Sequence, residues 1–239
     1  VQISRCLSVL ILLATAACSK AAPPPATPAT SASAQQATPG ESSSDATPLL
    51  SASLLEGRDY VVLPKGKPLD TPAGQVEVAE FFNYACPACS AFEPHLAKWK
   101  SSLPGYVHVI YLPLDFRPDF VPYARGYFAA QALGVADKAH EAVYAAIHET
   151  HKLPGEGPPA SADVLAQFYT QFGADPERFK ELMGSNEISI KLADARDFAK
   201  RSGVHSTPTL LIDGKYVVRG DSWDNLLQNA SQLIGKERE

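Results

Sequence analysis

The segment FFNYACPACSAFEP, Phe81 to Pro94, holds two cysteines three residues apart, separated by Pro87 and Ala88. Three chemistries use such a pair: half of a metal site, an inert staple, or a dithiol that trades its disulfide with other thiols. Zinc normally takes four ligands, and no second Cys pair or suitably spaced Cys/His pair accompanies this one. A static disulfide closing so small a loop restricts the unfolded chain little. For the redox reading the decisive feature is placement. Pro87 suits the first turn of a helix, so the pair is expected to open one. A sulfur there lies near unpaired backbone N–H groups and the positive end of the helix dipole, and both favour thiolate over thiol. An ordinary cysteine titrates near ~8.5, and this setting lowers it to roughly 3.5–7.5. Cys86 is therefore expected to be the exposed attacking and leaving sulfur, and Cys89, a turn deeper on the same face, the shielded resolving one. A lowered thiolate energy also stabilises the reduced pair, which makes the disulfide an oxidant.

The elements that must hold this pair follow from periodicity. Asp59 to Leu63 reads as a short edge strand stopped by Pro64, and Gln75 to Phe82 as a strand with Val76, Val78, Glu80 and Phe82 on one side. Ala91, Phe92, His95, Leu96 and Trp99 give the helical spacing after the cysteines, with Pro94 expected to kink the run. Val107 to Leu112 returns as a strand, parallel to its predecessor because a helix crosses between them. From about Val121 to Ser202 every apolar stripe is helical: Ala139, Ala142, Val143, Ala146 and Ile147; then Val164, Leu165, Phe168 and Phe172 behind a Ser161 cap; a short helix from Asp175-Pro176; and Ile188, Leu192, Ala195 and Ala199, stopped at Gly203. Thr209 to Ile212 and Tyr216 to Arg219 flank Asp213-Gly214-Lys215 as a hairpin, and Asp221 or Ser222 caps a closing helix. The pattern is an α/β sheet domain interrupted by an all-helical insertion: residues 58–118, the insertion over 119–195, then 196–239.

Composition bounds the surroundings. A net charge of -5, pI near 5.7 and scattered basic residues argue against a nucleic-acid partner. Residues 1–22 read as an export signal, with Arg5 ahead of an apolar Leu7–Leu13 run and small residues at Ala14 to Ala17. Ala14-Thr15-Ala16 offers one cleavage site. Thr15-Ala16-Ala17-Cys18 resembles a bacterial lipobox, which makes Cys18 a candidate for lipidation and membrane anchoring; Cys6 is expected to be discarded. Residues 23–57, rich in Pro, Ala, Ser and Thr, read as a disordered linker with a reach of roughly 30 Å. An exported chain works where disulfides persist, so the expected location is the periplasm.

EFFNYACPACSAFE together with STPTLLIDGKY resembles the thioredoxin superfamily and, within it, the DsbA family of bacterial exported thiol oxidases, over everything from about Arg58 onward. The resemblance implies a thioredoxin fold with the inserted helical domain, and a cis Thr207–Pro208 bond beside the disulfide. There Thr207 and Pro208 hold an extended reduced polypeptide by its backbone. It also implies that Glu80, six residues before Cys86 and on a core-facing strand position, is a buried acid that moves protons for the deeper cysteine. No metal or organic cofactor is implied, and reoxidation falls to a membrane quinone-linked partner of DsbB type. Two residues depart from better-studied members. Ala88 stands where they carry His, which removes a donor to the thiolate, and Thr207 stands where Val is frequent. Two rival readings follow, a reductase or isomerase, and a tethered chaperone-like peptide-binding module whose disulfide is structural.

The remaining candidates have plainer expectations. His148 and His151, three apart at a helix end without a third ligand, are expected to be solvated, and His205 to be a loop residue three positions before Pro208. Phe116, Phe120 and Tyr123 are expected to pack in the core rather than line a peptide groove.

Overall fold

The computed structural model describes residues 53–238, and the export-signal and Cys18 readings lie outside them. Five strands form one sheet in the order β1-β5-β4-β2-β3: β1 Tyr60–Val62, β2 Val76–Phe82, β3 Val107–Pro113, β4 Thr209–Ile212 and β5 Tyr216–Val218. β2 is the strand on which the rest is built. Its sequence, VEVAEFF, is buried at all seven positions, with β3 parallel on one side and β4 antiparallel on the other. The crossover from β2 to β3 is α1, Pro87–Lys100, and the chain closes with α7, Trp223–Arg238. Strand alternation then sorts the sheet's two faces. Val76, Val78, Leu210 and Ile212 pack with Phe92 and Leu96 of α1 and Leu227, Ala230 and Leu233 of α7. Ala79, Phe81 and Leu211 face the other way, where Phe81 meets Phe198 with ring centroids 5.6 Å apart.

Between β3 and β4 lie five helices: α2 Phe120–Ala132, α3 Ala136–His148, α4 Ala162–Tyr169, α5 Pro176–Gly184 and α6 Asn186–Arg201. Their ends carry the chemistry that the sequence advertises. The Ser161 hydroxyl accepts from Val164 N (3.2 Å), Asp175 accepts from Arg178 N (2.8 Å) with Pro176 at N1, and Gly203 after α6 adopts φ +63°. α6 runs unbroken through positions 195 and 196, so the boundary expected there falls inside a helix. The linker expected to run to residue 57 also ends sooner. Leu55 N donates to Asp59 Oδ2 (2.8 Å) and Gly57 N to Tyr60 O (2.7 Å), which ties these residues to the start of β1.

The β4–β5 hairpin turns at Asp213 (φ 49°) and Gly214 (φ 65°), both in the left-handed region, with Lys215 N donating to Ile212 O (2.8 Å). That is the primed turn whose twist suits a two-residue hairpin. Gly214 is also required by space, since a Cβ there would lie 1.9 Å from the Lys67 carbonyl oxygen. The closing helix is capped by Ser222, whose hydroxyl accepts from Asn225 N (3.2 Å).

Candidate active site

β2 delivers the chain into the core, and the three residues after it turn it back into α1. Asn83, fully buried, holds that turn: its amide donates to Leu114 O (2.7 Å) and Phe120 O (3.1 Å), and its Oδ1 accepts from Ala85 N (2.9 Å). One side chain thus joins the cysteine loop to the end of β3 and the start of the insertion. Cys86 is the N-cap of α1, extended at φ -81° and ψ 116°, with Pro87 at N1, Ala88 at N2 and Cys89 at N3. A cap residue normally supplies an oxygen to the N2 or N3 amide. Here the only atom available for that task is sulfur.

As a thiol, Cys86 Sγ donates toward Thr207 O at 3.5 Å. Once ionised it can only accept, and the donors around it take over. Its pKa is lowered from 9.0 to about 5, chiefly by a hydrogen bond from the Cys89 thiol, against the opposing effect of burial; the Thr207 side chain and the backbone N–H groups of Cys89 and Ala88 add to the lowering. The thiolate therefore becomes the helix cap. Cys89 goes the other way: burial, the bond it gives to Cys86 and the negative charges of Cys86 and Glu80 push its thiol far above the ordinary range. Both cysteines are free thiols here.

The expected exposed sulfur needs correction. Cys86 is only 8% exposed and Cys89 0%, because Thr207 lies over Cys86. The ranking survives, since Cys86 alone of the two reaches solvent, and Pro87 and Ala88 beside it are exposed. The Thr207–Pro208 peptide bond is cis. Glu80 is fully buried with neither carboxyl oxygen hydrogen-bonded, and burial first, then the charge of Glu93, raises its pKa well above the usual carboxylate range, while Lys100 opposes.

Sequence reasoning passed over Glu93 and His140. The buried stripe of α1 is Cys89, Phe92, Glu93 and Leu96, whereas Ala91 and His95, counted in the apolar face, are exposed. Glu93 Oε2 lies 3.3 Å from His140 Nε2, and His140 Nδ1 lies 2.8 Å from the Tyr84 hydroxyl. The spacing 89, 92, 93, 96 is the helical i, i+3, i+4, i+7 pattern, so a Glu at its third position was the available signal. His148 is half-buried rather than solvated, its Nε2 2.8 Å from Tyr84 O, while His151 is exposed with Nδ1 3.0 Å from Ile147 O. His205 is exposed and lines a groove with Ser206, Pro208, Arg219 and Asn225. Phe120 and Tyr123 are core residues, as expected, but Phe116 is 48% exposed.

A thioredoxin family model matches residues 70–229. Thiol:disulfide interchange protein DsbA of Burkholderia cepacia is 33% identical over 178 residues, covering 74% of this chain and 81% of the relative. The chain belongs to the DsbA family. DsbA of Pseudomonas aeruginosa is likewise 33% identical, over 185 residues that cover 76% of this chain and 85% of that protein. Among solved structures, oxidoreductase DsbA from Xylella fastidiosa superposes with a TM-score of 0.73 at 34% identity, covering 77% of this chain and 98% of that one. This DsbA-family chain is accordingly a thiol:disulfide oxidoreductase with a thioredoxin fold and a helical insertion.

Proposed function

We propose that this oxidoreductase donates its Cys86–Cys89 disulfide to reduced exported polypeptides. A substrate thiolate attacks Cys86 Sγ, the Cys86–Cys89 bond breaks, and its electron pair leaves on Cys89, which takes a proton from Glu80. A second substrate thiolate then attacks the substrate sulfur of the mixed disulfide, and Cys86 departs as thiolate. The substrate has lost two electrons and the enzyme has gained them. The observation that carries this reading is the placement of the two sulfurs: Cys86 caps α1 and is the one that reaches solvent, whereas Cys89 lies fully buried at N3, so that the first thiol is pulled down to about 5 and the second pushed far above the thiol range. A good leaving group faces the substrate, and the buried partner needs a proton supplied to it.

Thr207 and Pro208 are the backbone platform for an extended substrate, and Pro87 and Ala88 form the exposed rim of the cysteine loop. Regeneration requires an electron acceptor, by family analogy a membrane quinone-linked reoxidase of DsbB type. The domain works in the periplasm; if Cys18 carries lipid, the segment before residue 53 tethers it to a membrane.

Equilibration of the pair with glutathione tests the direction of electron flow. An oxidase gives a potential well above the about -270 mV of thioredoxin, and a value as low as thioredoxin's would make the protein a reductase.

A further inference from the structure

Among the insertion side chains that pack on the cysteine loop, His140 of α3, 7% exposed, also reaches α1. Its ring bridges two groups that flank the cysteines in sequence: the Tyr84 hydroxyl at 2.8 Å from Nδ1, and Glu93 Oε2 at 3.3 Å from Nε2. Tyr111, which pairs with Glu80 across the β2–β3 register, lies against the same imidazole with ring centroids 4.7 Å apart.

The ionisable groups around the ring are Glu93 from α1, Tyr84 from the cysteine loop, Tyr111 from β3, Tyr127 from α2 and Tyr144 from α3 itself. Asp137, one turn earlier on α3, is exposed, and Lys100 approaches from solvent to donate to the Tyr111 hydroxyl at 3.0 Å. Burial raises the pKa of all four tyrosines, so they stay neutral. In the tautomer that carries hydrogen on Nε2, the ring donates to Glu93 Oε2. Nδ1 can accept from the Tyr84 hydroxyl, or donate to it once the ring is doubly protonated, because the O–H rotates. The imidazole can gain a positive charge without losing either hydrogen bond.

We infer that His140 is a positioning residue for the redox reaction: by holding and partly neutralising Glu93, it sets how readily Glu80 gives up its proton to Cys89. This rests on the reading of Glu80 as the proton donor. When the Cys86–Cys89 bond breaks and Glu80 protonates the departing Cys89 sulfur, a new carboxylate is left in the core near Glu93. Glu93's negative charge is the largest charge effect on Glu80. The N–H of His140, and any positive charge it takes up, offset that field until solvent returns a proton to Glu80.

Carboxyl ¹³C NMR of glutamate-labelled protein reads the Glu80 titration directly, with its resonance identified by its loss in Glu80→Gln. Glu93→Gln removes the neighbouring anion and should lower the Glu80 midpoint by ~1 pH unit. His140→Gln keeps a donor to Glu93 but cannot become charged, and should raise the midpoint by ~0.5–1 unit. In the Glu93→Gln background the same His140 change should do nothing, because the effect passes through Glu93. Tyr84→Phe, which keeps the imidazole but removes the partner of its charged form, should move the midpoint in the same direction as His140→Gln and serves if that variant does not fold. An unmoved midpoint in both, or an equal shift in the Glu93→Gln background, overturns the inference. Failure of the proton-donor reading looks different: a Glu80→Gln enzyme whose disulfide is reduced by dithiothreitol with the wild-type pH profile.

Discussion

Lowering the pH should selectively weaken the reduced form of this protein. Cys86 titrates at about 5 in the folded dithiol against an ordinary 9.0. A group whose folded pKa is depressed contributes stability that is complete above the unfolded value and is lost as pH falls through the folded one. Between pH 5 and 7 the linkage amounts to about 2.3 kcal/mol, somewhat less than two tenfold steps of ~1.36 kcal/mol because half of the sulfur is already ionised at pH 5. Solvent access at the sulfur screens part of it, so about 1–2 kcal/mol is expected. The oxidised protein has no thiolate and keeps the same buried acids, so the difference between the two forms reports the Cys86 thiolate together with its effect on Glu80. The assay is urea denaturation of reduced and oxidised protein at several pH values. Reduced-minus-oxidised stability should rise by that amount from pH 5 to 7, and Cys86→Ser should abolish the rise. A flat difference across this window would refute the claim that the fold stabilises the thiolate.

Three further outcomes follow from the geometry. Thr207→Val keeps the carbonyl over Cys86 but removes the side-chain hydroxyl that favours the thiolate, and should raise the thiolate midpoint by ~0.5–1 unit in an ultraviolet titration. Asn83→Ala leaves the Leu114 and Phe120 carbonyls and the Ala85 N–H without their buried partner, which should cost about 2–4 kcal/mol in urea denaturation. Gly214→Ala strains a left-handed backbone and drives a Cβ into Lys67, so it should destabilise by at least ~1–3 kcal/mol by the same measurement.

Much of this arrangement was legible in the sequence because its signals are local. The β pattern of VEVAEFF, Pro87 behind Cys86, the Ser161 and Asp175 caps and the Asp-Gly turn each act within a few residues. What sequence could not supply were contacts across distant segments. Thr207, 121 positions from Cys86, is placed beside it by the family resemblance and not by any local signal, and Glu93 finds His140 47 positions away. A charged residue in an apolar stripe carries no local sign of burial; Glu93 stays buried because its partner lies inside the stripe of another helix. His148 was misjudged for the same reason, since its acceptor is the Tyr84 carbonyl 64 positions upstream.

The most direct test of the redox account is the thiolate absorbance of the reduced protein as a function of pH. A transition with a midpoint near 5, absent from Cys86→Ser, is the predicted result. A midpoint near ~8.5, where an unassisted cysteine titrates, would contradict it.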